Sequence, residues 1–252
     1  MDNAQQYLKI AVLTRVAKYT YEGSLAEHAP EIPYEMIPGP LPTFRCCIYK
    51  EREIIRERFA AACGRSLPGQ PGGKVLGVLP AACEGCPISR FRVTDNCQNC
   101  LAHKCREACR FGAITITARG AYIDPKKCRE CGQCAAACPY NAISDTLRPC
   151  VRACPVRAIG KDEYQRSAID YDRCIGCGAC MKACPFGAIT DRSEIIEVIE
   201  ALKSGAPVVA VFAPAIEGHF GAATVGMLKS AMKKLGFSDA VEVSLGADAV
   251  AS

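Results

Sequence analysis

A ten-residue motif occurs four times between residues 105 and 189, and it constrains the fold more than any other feature of the chain. Each copy has two cysteines four positions apart and ends in Ala-Ile. The copies are CREACRFGAI (105–114), CAAACPYNAI (134–143), CVRACPVRAI (150–159) and CMKACPFGAI (180–189). Two copies complete the spacing C-x2-C-x2-C-x3-C-P, the bacterial-type pattern for 4Fe–4S clusters. The repeat therefore predicts short cysteine-bearing turns that are organised around iron–sulfur clusters.

The use of cysteine favours metal-binding thiolates over disulfides. The 252 residues include 19 cysteines. The N-terminal residues lack the apolar core and cleavage site of a signal peptide, and no run approaches the roughly 18 apolar residues of a membrane span. We therefore expect a cytoplasmic protein without membrane insertion, in a compartment that keeps thiols reduced.

The formal net charge of +5 does not indicate a nucleic-acid-binding protein. Each 4Fe–4S cluster with four thiolates carries a charge of about −2, so four clusters would bring the total to about −3. Because the basic residues then largely offset the clusters, we expect no nucleic acid among the partners.

The first two complete motifs predict two clusters. In bacterial-type proteins the fourth cysteine of one motif binds the cluster of the other motif. This crossing assigns Cys97, Cys100, Cys105 and Cys138 to cluster 1, and Cys128, Cys131, Cys134 and Cys109 to cluster 2. The first motif has an enlarged loop that contains His103. Histidine can replace cysteine as an iron ligand, but four cysteines are available, so we expect a hydrogen-bonding or surface role.

The remaining motifs are unequal. The crossing assigns Cys174, Cys177, Cys180 and Cys154 to cluster 3. Ser144 and Leu147 stand where the other motif would have its first two cysteines, which leaves Cys150 and Cys184 with half a ligand set. The separate pair Cys83-x-x-Cys86-Pro supplies the other half, and we predict cluster 4 on Cys83, Cys86, Cys150 and Cys184. The alternatives are a lost cluster, or a contribution from Cys46 or Cys47, so the cofactors number three to four 4Fe–4S clusters.

Three cysteines lie outside these sets. Cys46, Cys47 and Cys63 are expected to be buried thiols, with a redox or metal role for the vicinal pair as an alternative. Zinc is an alternative to iron at C-x2-C pairs, but the third cysteine and the Cys-Pro step do not have zinc-ribbon spacing. Glycine and alanine near the motifs let the backbone approach a cluster and point N–H groups at its sulfurs. These small residues are Gly132, Gly176, Gly178, Ala135 and Ala179.

The chain before the motifs reads as helical and irregular. Residues 4–20 carry a helical apolar stripe. The five prolines of residues 29–44 exclude helix and predict an extended strap. A charged helix over 45–63 follows, then a loop over 66–74 and a short strand over 75–80.

Strand patterns separate and follow the motifs. Residues 113–117 and 121–124 predict a hairpin, and 167–171 form the matching strand of the second half. After residue 189 the cysteines stop. A helix over 192–203 with Ser193 as N-cap precedes a βαβ unit, which comprises strand 208–212, helix 224–235 ended by Gly236, and strand 240–245.

These patterns predict an α+β protein with tandem ferredoxin-like modules. The expected segments are an N-terminal region (1–94), a first module (95–145), a second, partly degenerate module (146–191) and an α/β segment (192–252). A parallel strand pair normally has both faces covered. We therefore expect that a partner completes the βαβ unit or that the sequence is part of a longer protein.

Several longer stretches resemble monomeric iron-only (FeFe) hydrogenases, in particular the group B type. They are RCCIYKEREIIRER, AACEGCPISRFRVTDNC, CLAHKC, RPCVRACPVRAI, VVAVFAPAIEGHFG and GMLKSAMKKLGF. The resemblance covers nearly the whole chain and corresponds to the N-terminal two-thirds of that family. It implies that the βαβ unit opens a catalytic domain, whose 4Fe–4S cubane bridged to a di-iron unit reduces protons reversibly to hydrogen. It also implies a ferredoxin- or flavodoxin-type electron carrier, or another redox protein, as partner.

The chain departs from that family at the catalytic ligands. The Thr-Ser-Cys loop, the Pro-Cys-x-x-Lys-Lys-like loop and the later Cys-rich glycine segment are absent, and no cysteine follows Cys184. No catalytic residue is therefore assigned, and Glu217 and His219 are expected at a helix start and on the surface. We expect the electron-relay part of such a hydrogenase, or alternatively a stand-alone polyferredoxin that docks on a redox partner.

Overall fold

The structure is a computed structural model that describes residues 4–216 and 218–246. The chain divides into two compact units, Met1–Arg65 with Arg192–Ser252, and Ser66–Asp191. The helices are α1 (Ala4–Glu22), α2 (Leu25–His28), α3 (Ile32–Met36), α4 (Ile48–Ala62), α5 (Lys104–Glu107), α6 (Gln133–Ala137), α7 (Pro149–Ala153), α8 (Ala179–Ala183), α9 (Ile195–Lys203) and α10 (Val225–Lys234). The strands are β1 (Leu76–Val78), β2 (Phe91–Val93), β3 (Ile114–Thr117), β4 (Gly120–Ile123), β5 (Ile143–Asp145), β6 (Ile159–Lys161), β7 (Ser167–Ile169), β8 (Ile189–Asp191), β9 (Val209–Phe212) and β10 (Asp239–Glu242). Helices and two-stranded sheets coexist, as expected for an α+β protein.

The N-terminal helices pack around an apolar core. Val12 and Val16 of α1 are fully buried against Ile55 and Phe59 of α4, which confirms the predicted helical stripes. The prediction that prolines exclude helix from residues 29–44 was wrong in part, because α3 lies within that segment. Pro33 occupies the first turn of α3, where its missing N–H costs no helical hydrogen bond.

A buried carboxylate orders the irregular segment that follows α3. Glu51 of α4 is fully buried. It accepts backbone N–H groups of Thr43 and Arg45 at 2.7 Å each, and that of Phe44. These charge-assisted bonds satisfy the buried carboxylate and fix the segment without regular structure.

The C-terminal residues of this unit form the predicted helix and βαβ unit. The predicted N-cap was displaced by one residue, because α9 begins after Glu194 while the Ser193 hydroxyl accepts the Ile195 N–H at 3.2 Å. Strands β9 and β10 pair in parallel and α10 connects them. Thr224 caps α10 by accepting the Met227 N–H at 3.3 Å.

The second unit contains two modules with the same strand pairing. In module A (residues 91–145), β2 pairs antiparallel with β5, and β3 and β4 form the predicted hairpin. In module B (residues 76–86 and 148–191), β1 pairs antiparallel with β8, and β6 and β7 form a hairpin. Each module therefore has a first strand, a motif, a hairpin, a second motif and a last strand.

Module A is inserted into module B. Strand β1 and the pair Cys83-x-x-Cys86 precede module A along the chain, and the rest of module B follows it. The ends of the insertion meet, because the Thr146 N–H donates to the Arg90 carbonyl at 2.7 Å and its hydroxyl donates to the Ser89 carbonyl at 3.0 Å. An insertion with adjacent ends disturbs the host module little.

Corresponding residues build the cores of the two modules. Module A buries Phe91, Ile114, Cys134 and Ile143 together. Module B buries Leu76, Ile159, Cys180 and Ile189 together, and Cys150 with them. The four predicted segments stay a prediction, but β1 and β2 each complete a sheet of the cysteine-bearing unit rather than of the N-terminal helices.

Candidate metal centres

The four motifs adopt the same turn after their second cysteine. The carbonyl of that cysteine accepts the N–H of the residue three positions on, which has a left-handed backbone conformation. These residues are Gly112 (φ 59°), Asn141 (φ 50°), Arg157 (φ 52°) and Gly187 (φ 57°). A left-handed residue reverses the chain within one turn, so the following alanine returns toward the cysteine sulfur.

The alanine of each Ala-Ile pair donates its backbone N–H to the cysteine four positions earlier. The distances are 3.3 Å (Ala113 to Cys109 Sγ), 3.4 Å (Ala142 to Cys138 Sγ), 3.1 Å (Ala158 to Cys154 Sγ) and 3.3 Å (Ala188 to Cys184 Sγ). Each alanine is buried, and each isoleucine begins a strand. The repeat therefore encodes an N–H donor for a ligand sulfur, followed by a core anchor.

A second left-handed position precedes the short helix of three motifs. Gly132 (φ 83°) and Gly178 (φ 73°) are the N-caps of α6 and α8, and His103 (φ 42°) is the N-cap of α5. His103 thus holds a position that glycine holds elsewhere, and its carbonyl accepts the N–H of Arg106 at 2.8 Å. Arg148 holds this position before α7 with an ordinary φ of −55°.

The first predicted ligand set is brought together around Cys105. Burial raises the pKa of the Cys105 thiol, and the nearby sulfurs of Cys138 and Cys100 raise it further. The fourth member, Cys97, faces Gly120, where an added Cβ would lie 2.9 Å from its sulfur. Gly120 also has a φ of 118°, so a side chain there would strain the backbone and press on Cys97.

The second predicted set surrounds one small cavity. Cys109, Cys128, Cys131 and Cys134 line it together, with Phe91, Ile114 and Gly132 among the other lining residues. Burial raises the pKa of Cys134, and the nearby Cys128 and Cys109 raise it further. Cys131 is exposed, so this site has one edge at the surface.

The third predicted set shows the same arrangement in module B. Burial raises the pKa of Cys180 to about 11, and nearby Cys174 and Cys154 add to the effect. Cys177 is exposed, as Cys131 is in module A. One cysteine at the surface and one in the core is therefore the pattern of both complete motifs.

The fourth predicted set also converges, although its members come from distant parts of the sequence. Burial raises the pKa of Cys86, and the sulfurs of Cys150, Cys184 and Cys83 raise it further, whereas the Arg148 guanidinium lowers it. Cys83 accepts the Ser167 N–H at 3.2 Å. Cys83-x-x-Cys86 follows β1 as Cys97-x-x-Cys100 follows β2, so these cysteines occupy the place of the two that the third motif lacks.

The donor chemistry of the four sets fits 4Fe–4S clusters. Each set offers four thiols and at least one backbone N–H aimed at a sulfur. Burial opposes thiolate formation in the free thiols, but a coordinating metal deprotonates them outright. Among the described residues, no three Cys, His, Asp or Glu side chains converge as a site for a single metal ion. A single zinc requires sulfurs within about 4 Å of each other, whereas a cubane binds its four thiolates at separate corners.

The other candidate residues lie apart from these sets. The expectation of three buried thiols was wrong for Cys46, which is exposed. Cys63 and Cys47 are partly buried, and burial raises the pKa of Cys63. His219 is exposed as expected, and Glu217 lies outside the described residues. No helix in the described part of the chain is long and apolar enough to span a membrane.

Comparison with protein families supports an iron–sulfur protein. The family described as "4Fe-4S binding domain" matches residues 121–144 in module A and 168–190 in module B. The family described as "Iron only hydrogenase large subunit, C-terminal domain" matches residues 206–252. The chain therefore contains ferredoxin-type 4Fe–4S domains and a hydrogenase-like C-terminal segment.

Curated relatives resemble parts of the chain. An uncharacterized ferredoxin of Methanocaldococcus jannaschii is 38% identical over 75 residues, which cover 25% of this chain and 45% of that protein. A component of the ion-translocating oxidoreductase complex of Methanosarcina acetivorans is 50% identical over 40 residues, covering 16% and 15%. The electron transport protein HydN of Escherichia coli K12 is 32% identical over 56 residues, covering 22% and 32%. The chain spans less than two thirds of each of these relatives.

Proposed function

We propose that this protein relays single electrons through four 4Fe–4S clusters, held by the four crossed cysteine sets. The nesting of module A within module B carries this proposal. It supplies module B with the two cysteines that its interrupted motif lacks, and so gives every motif a complete ligand set. The ferredoxin-type domain matches and the electron-transport relatives support the same class of function.

The chain's own residues would shape each centre. A bound 4Fe–4S cluster supplies reversible one-electron chemistry. The motif cysteines hold it, and the alanine N–H groups donate to the ligand sulfurs and stabilise negative charge there. Buried side chains such as Phe91, Leu76 and Ile189 exclude water from one side, while Cys131 and Cys177 leave an edge near the surface for exchange with a partner.

We further propose that the relay belongs to a monomeric iron-only hydrogenase of the group B type. The match of residues 206–252 to the hydrogenase large-subunit family supports this assignment, as do the sequence stretches that resemble the family. A ferredoxin- or flavodoxin-type carrier in the cytoplasm would then exchange electrons with the clusters. A polyferredoxin-like protein that serves a separate redox enzyme is the second candidate, favoured by the similarity of the cysteine-bearing modules to a ferredoxin and to HydN.

Iron counting tests the relay proposal. We expect about sixteen irons per chain after anaerobic reconstitution, four for each cluster. Cys86→Ala should lower the count by about four, whereas Cys46→Ala, which alters an exposed cysteine outside all four sets, should leave it unchanged. About twelve irons in the unaltered chain, with no change in Cys86→Ala, would contradict the fourth ligand set.

Hydrogen assays separate the two candidate contexts. With reduced viologen as donor, the chain of this sequence should be reduced but should evolve no hydrogen, because it lacks the family's catalytic cysteine motifs. Joined to a segment that carries those motifs, it should support hydrogen evolution, and Cys177→Ser should slow it. Transfer to a separate enzyme at the same rate, with no gain from the joined segment, would favour the polyferredoxin role.

A further inference from the structure

A buried cation distinguishes the fourth ligand set from the other three. Arg148 is 4% exposed and stands at the N-cap of α7, two residues before Cys150. Its Nη1 donates to the Ser167 hydroxyl at 3.3 Å, and its Nη2 donates to the Gln165 carbonyl. Its Nε, also buried, has no hydrogen-bond partner among the described residues. A buried guanidinium with an unsatisfied donor is costly unless negative charge lies nearby.

Ser167 connects Arg148 to two cysteines of that set. Its backbone N–H donates to Cys83 Sγ at 3.2 Å, and its buried hydroxyl lies 3.4 Å from Cys150 Sγ. Because the hydroxyl oxygen accepts from Arg148, its proton is free to point at the Cys150 sulfur. The result is an oriented chain in which the guanidinium polarises a hydroxyl that donates to a ligand thiolate.

Module A lacks both members of this chain. The strand register of the hairpins aligns Ser167, opposite Lys161, with Ala121, opposite Ile116. The position of Arg148 is taken by His103, which is partly exposed. In the second motifs of the two modules that position is glycine, Gly132 and Gly178. A buried positive charge with a hydroxyl relay is thus a feature of the fourth set.

We propose that Arg148, acting through Ser167, makes the centre on Cys83, Cys86, Cys150 and Cys184 the most readily reduced of the four. The inference rests on the proposed fourth ligand set. Reduction by a low-potential one-electron donor adds one electron and no proton, and takes the charge of cluster plus thiolates from about −2 to about −3. A buried cation stabilises the more negative state most, because the low-dielectric interior screens it weakly. Electrons entering the relay would therefore settle first at this centre.

Reduction potentials of the whole reconstituted chain test the inference. Dithionite titration followed by EPR gives the potentials, and the component that disappears in Cys86→Ala identifies the fourth centre. Arg148→Met should lower the potential of that component by at least about 59 mV, the one-electron equivalent of a tenfold change in the equilibrium constant. Arg148→Lys, which keeps a positive charge, should recover part of the loss. Arg152→Met, which removes an exposed arginine of the same helix, should leave all potentials unchanged.

Ser167→Ala provides a second, milder variant. It keeps the backbone N–H to Cys83 and removes only the hydroxyl, so the same component should shift downward by a smaller amount. It decides the question if Arg148→Met loses iron. Full iron content with an unchanged potential in Ser167→Ala and in whichever Arg148 variant retains its iron would overturn the role of Arg148. An equal shift of every component would overturn it too. A wild-type count of about twelve irons would instead show that the fourth centre itself is absent.

Discussion

Modules A and B share their strands, motifs and core positions, but module A is continuous in the sequence and module B is not. In module A the chain runs from β2 through both motifs to β5. In module B the chain leaves after Cys86 and returns at Arg148, with module A in between. A motif that is complete in space is therefore interrupted in sequence, and spacing rules alone would count it as degenerate.

The modules also differ in the polarity around their ligands. Cys150 of module B contacts a buried hydroxyl that a buried arginine holds. The equivalent strand position of module A is Ala121. Two modules with one backbone can therefore present different electrostatic environments, which is one of the means by which proteins set cluster potentials. The predictions below test first the separateness of the modules and then smaller differences between them.

Excision of module A should have the largest effect. Replacing residues 91–145 with two glycines joins Arg90 to Thr146, whose backbone atoms are already hydrogen-bonded at 2.7 Å. If module B is complete in itself, the shortened chain should bind about eight irons in place of about sixteen. Cys83→Ala in the shortened chain should reduce the count to about four. A shortened chain that binds about four irons without that substitution would show that module B lacks its own first cysteines.

The sequence predicts the local features of this site better than its long-range ones. Motif spacing assigns each cysteine to a set, and apolar periodicity predicts α1, α4 and the βαβ unit. The pairing of β1 with β8 escapes such reasoning, because three-residue strands carry too little periodicity to name a partner more than a hundred residues away. The nesting follows from that pairing and is equally hidden.

Individual residue roles are also hidden where a residue departs from its usual behaviour. Arginine is seldom buried, so nothing in the sequence marks Arg148 as an interior residue. Left-handed positions are recognisable when they hold glycine, as at Gly132, but not when they hold His103 or Arg157. The enlarged loop drew attention to His103 as a ligand candidate, whereas its structural position is that of an N-cap.

Truncation of a core anchor should destabilise each module by several kcal/mol. Leu76 in module B and Phe91 in module A are equivalent and about 5% exposed or less. Leu76→Ala should cost ~2–4 kcal/mol and Phe91→Ala ~3–5 kcal/mol, because each leaves a cavity beside a ligand cysteine. Urea-induced loss of cluster absorbance measures the change. Val75→Ala is the control, since Val75 is 55% exposed. Equal losses in the control and Leu76→Ala would contradict the proposed core of module B.

A single methyl group should disturb module A but not module B. Gly120→Ala would place a Cβ 2.9 Å from Cys97 Sγ at a φ of 118°, which should cost ~1–2 kcal/mol. Gly160→Ala, in β6 of module B, meets nothing within 4 Å. We therefore expect faster loss of iron from Gly120→Ala alone, measured by chelator-induced bleaching. Equal rates in both variants would show that Cys97 does not depend on the space at Gly120.

The smallest expected difference comes from an ion pair at the edge of module A. Arg90 donates to both carboxylate oxygens of Asp145 at 2.9 Å, and module B has Val75 in place of Arg90. This bidentate contact lowers the pKa of Asp145 to about 2. Both side chains are about one third exposed, with 31% and 36% accessible, so solvent screening limits the contribution to roughly 1 kcal/mol or less.

The pH dependence of that contribution has a definite sign. Since the folded pKa of Asp145 is depressed below the unfolded value of about 3.9, the stabilisation is complete above about pH 5 and fades as pH falls toward 2. Asp145→Asn should therefore lower stability by the same small amount at pH 8 and pH 6, measured as urea-induced loss of cluster absorbance. Arg90→Val, which introduces the residue of module B, should give a similar loss. A difference that disappears between pH 8 and pH 6 would show that another group, rather than the Asp145 carboxylate, governs this edge.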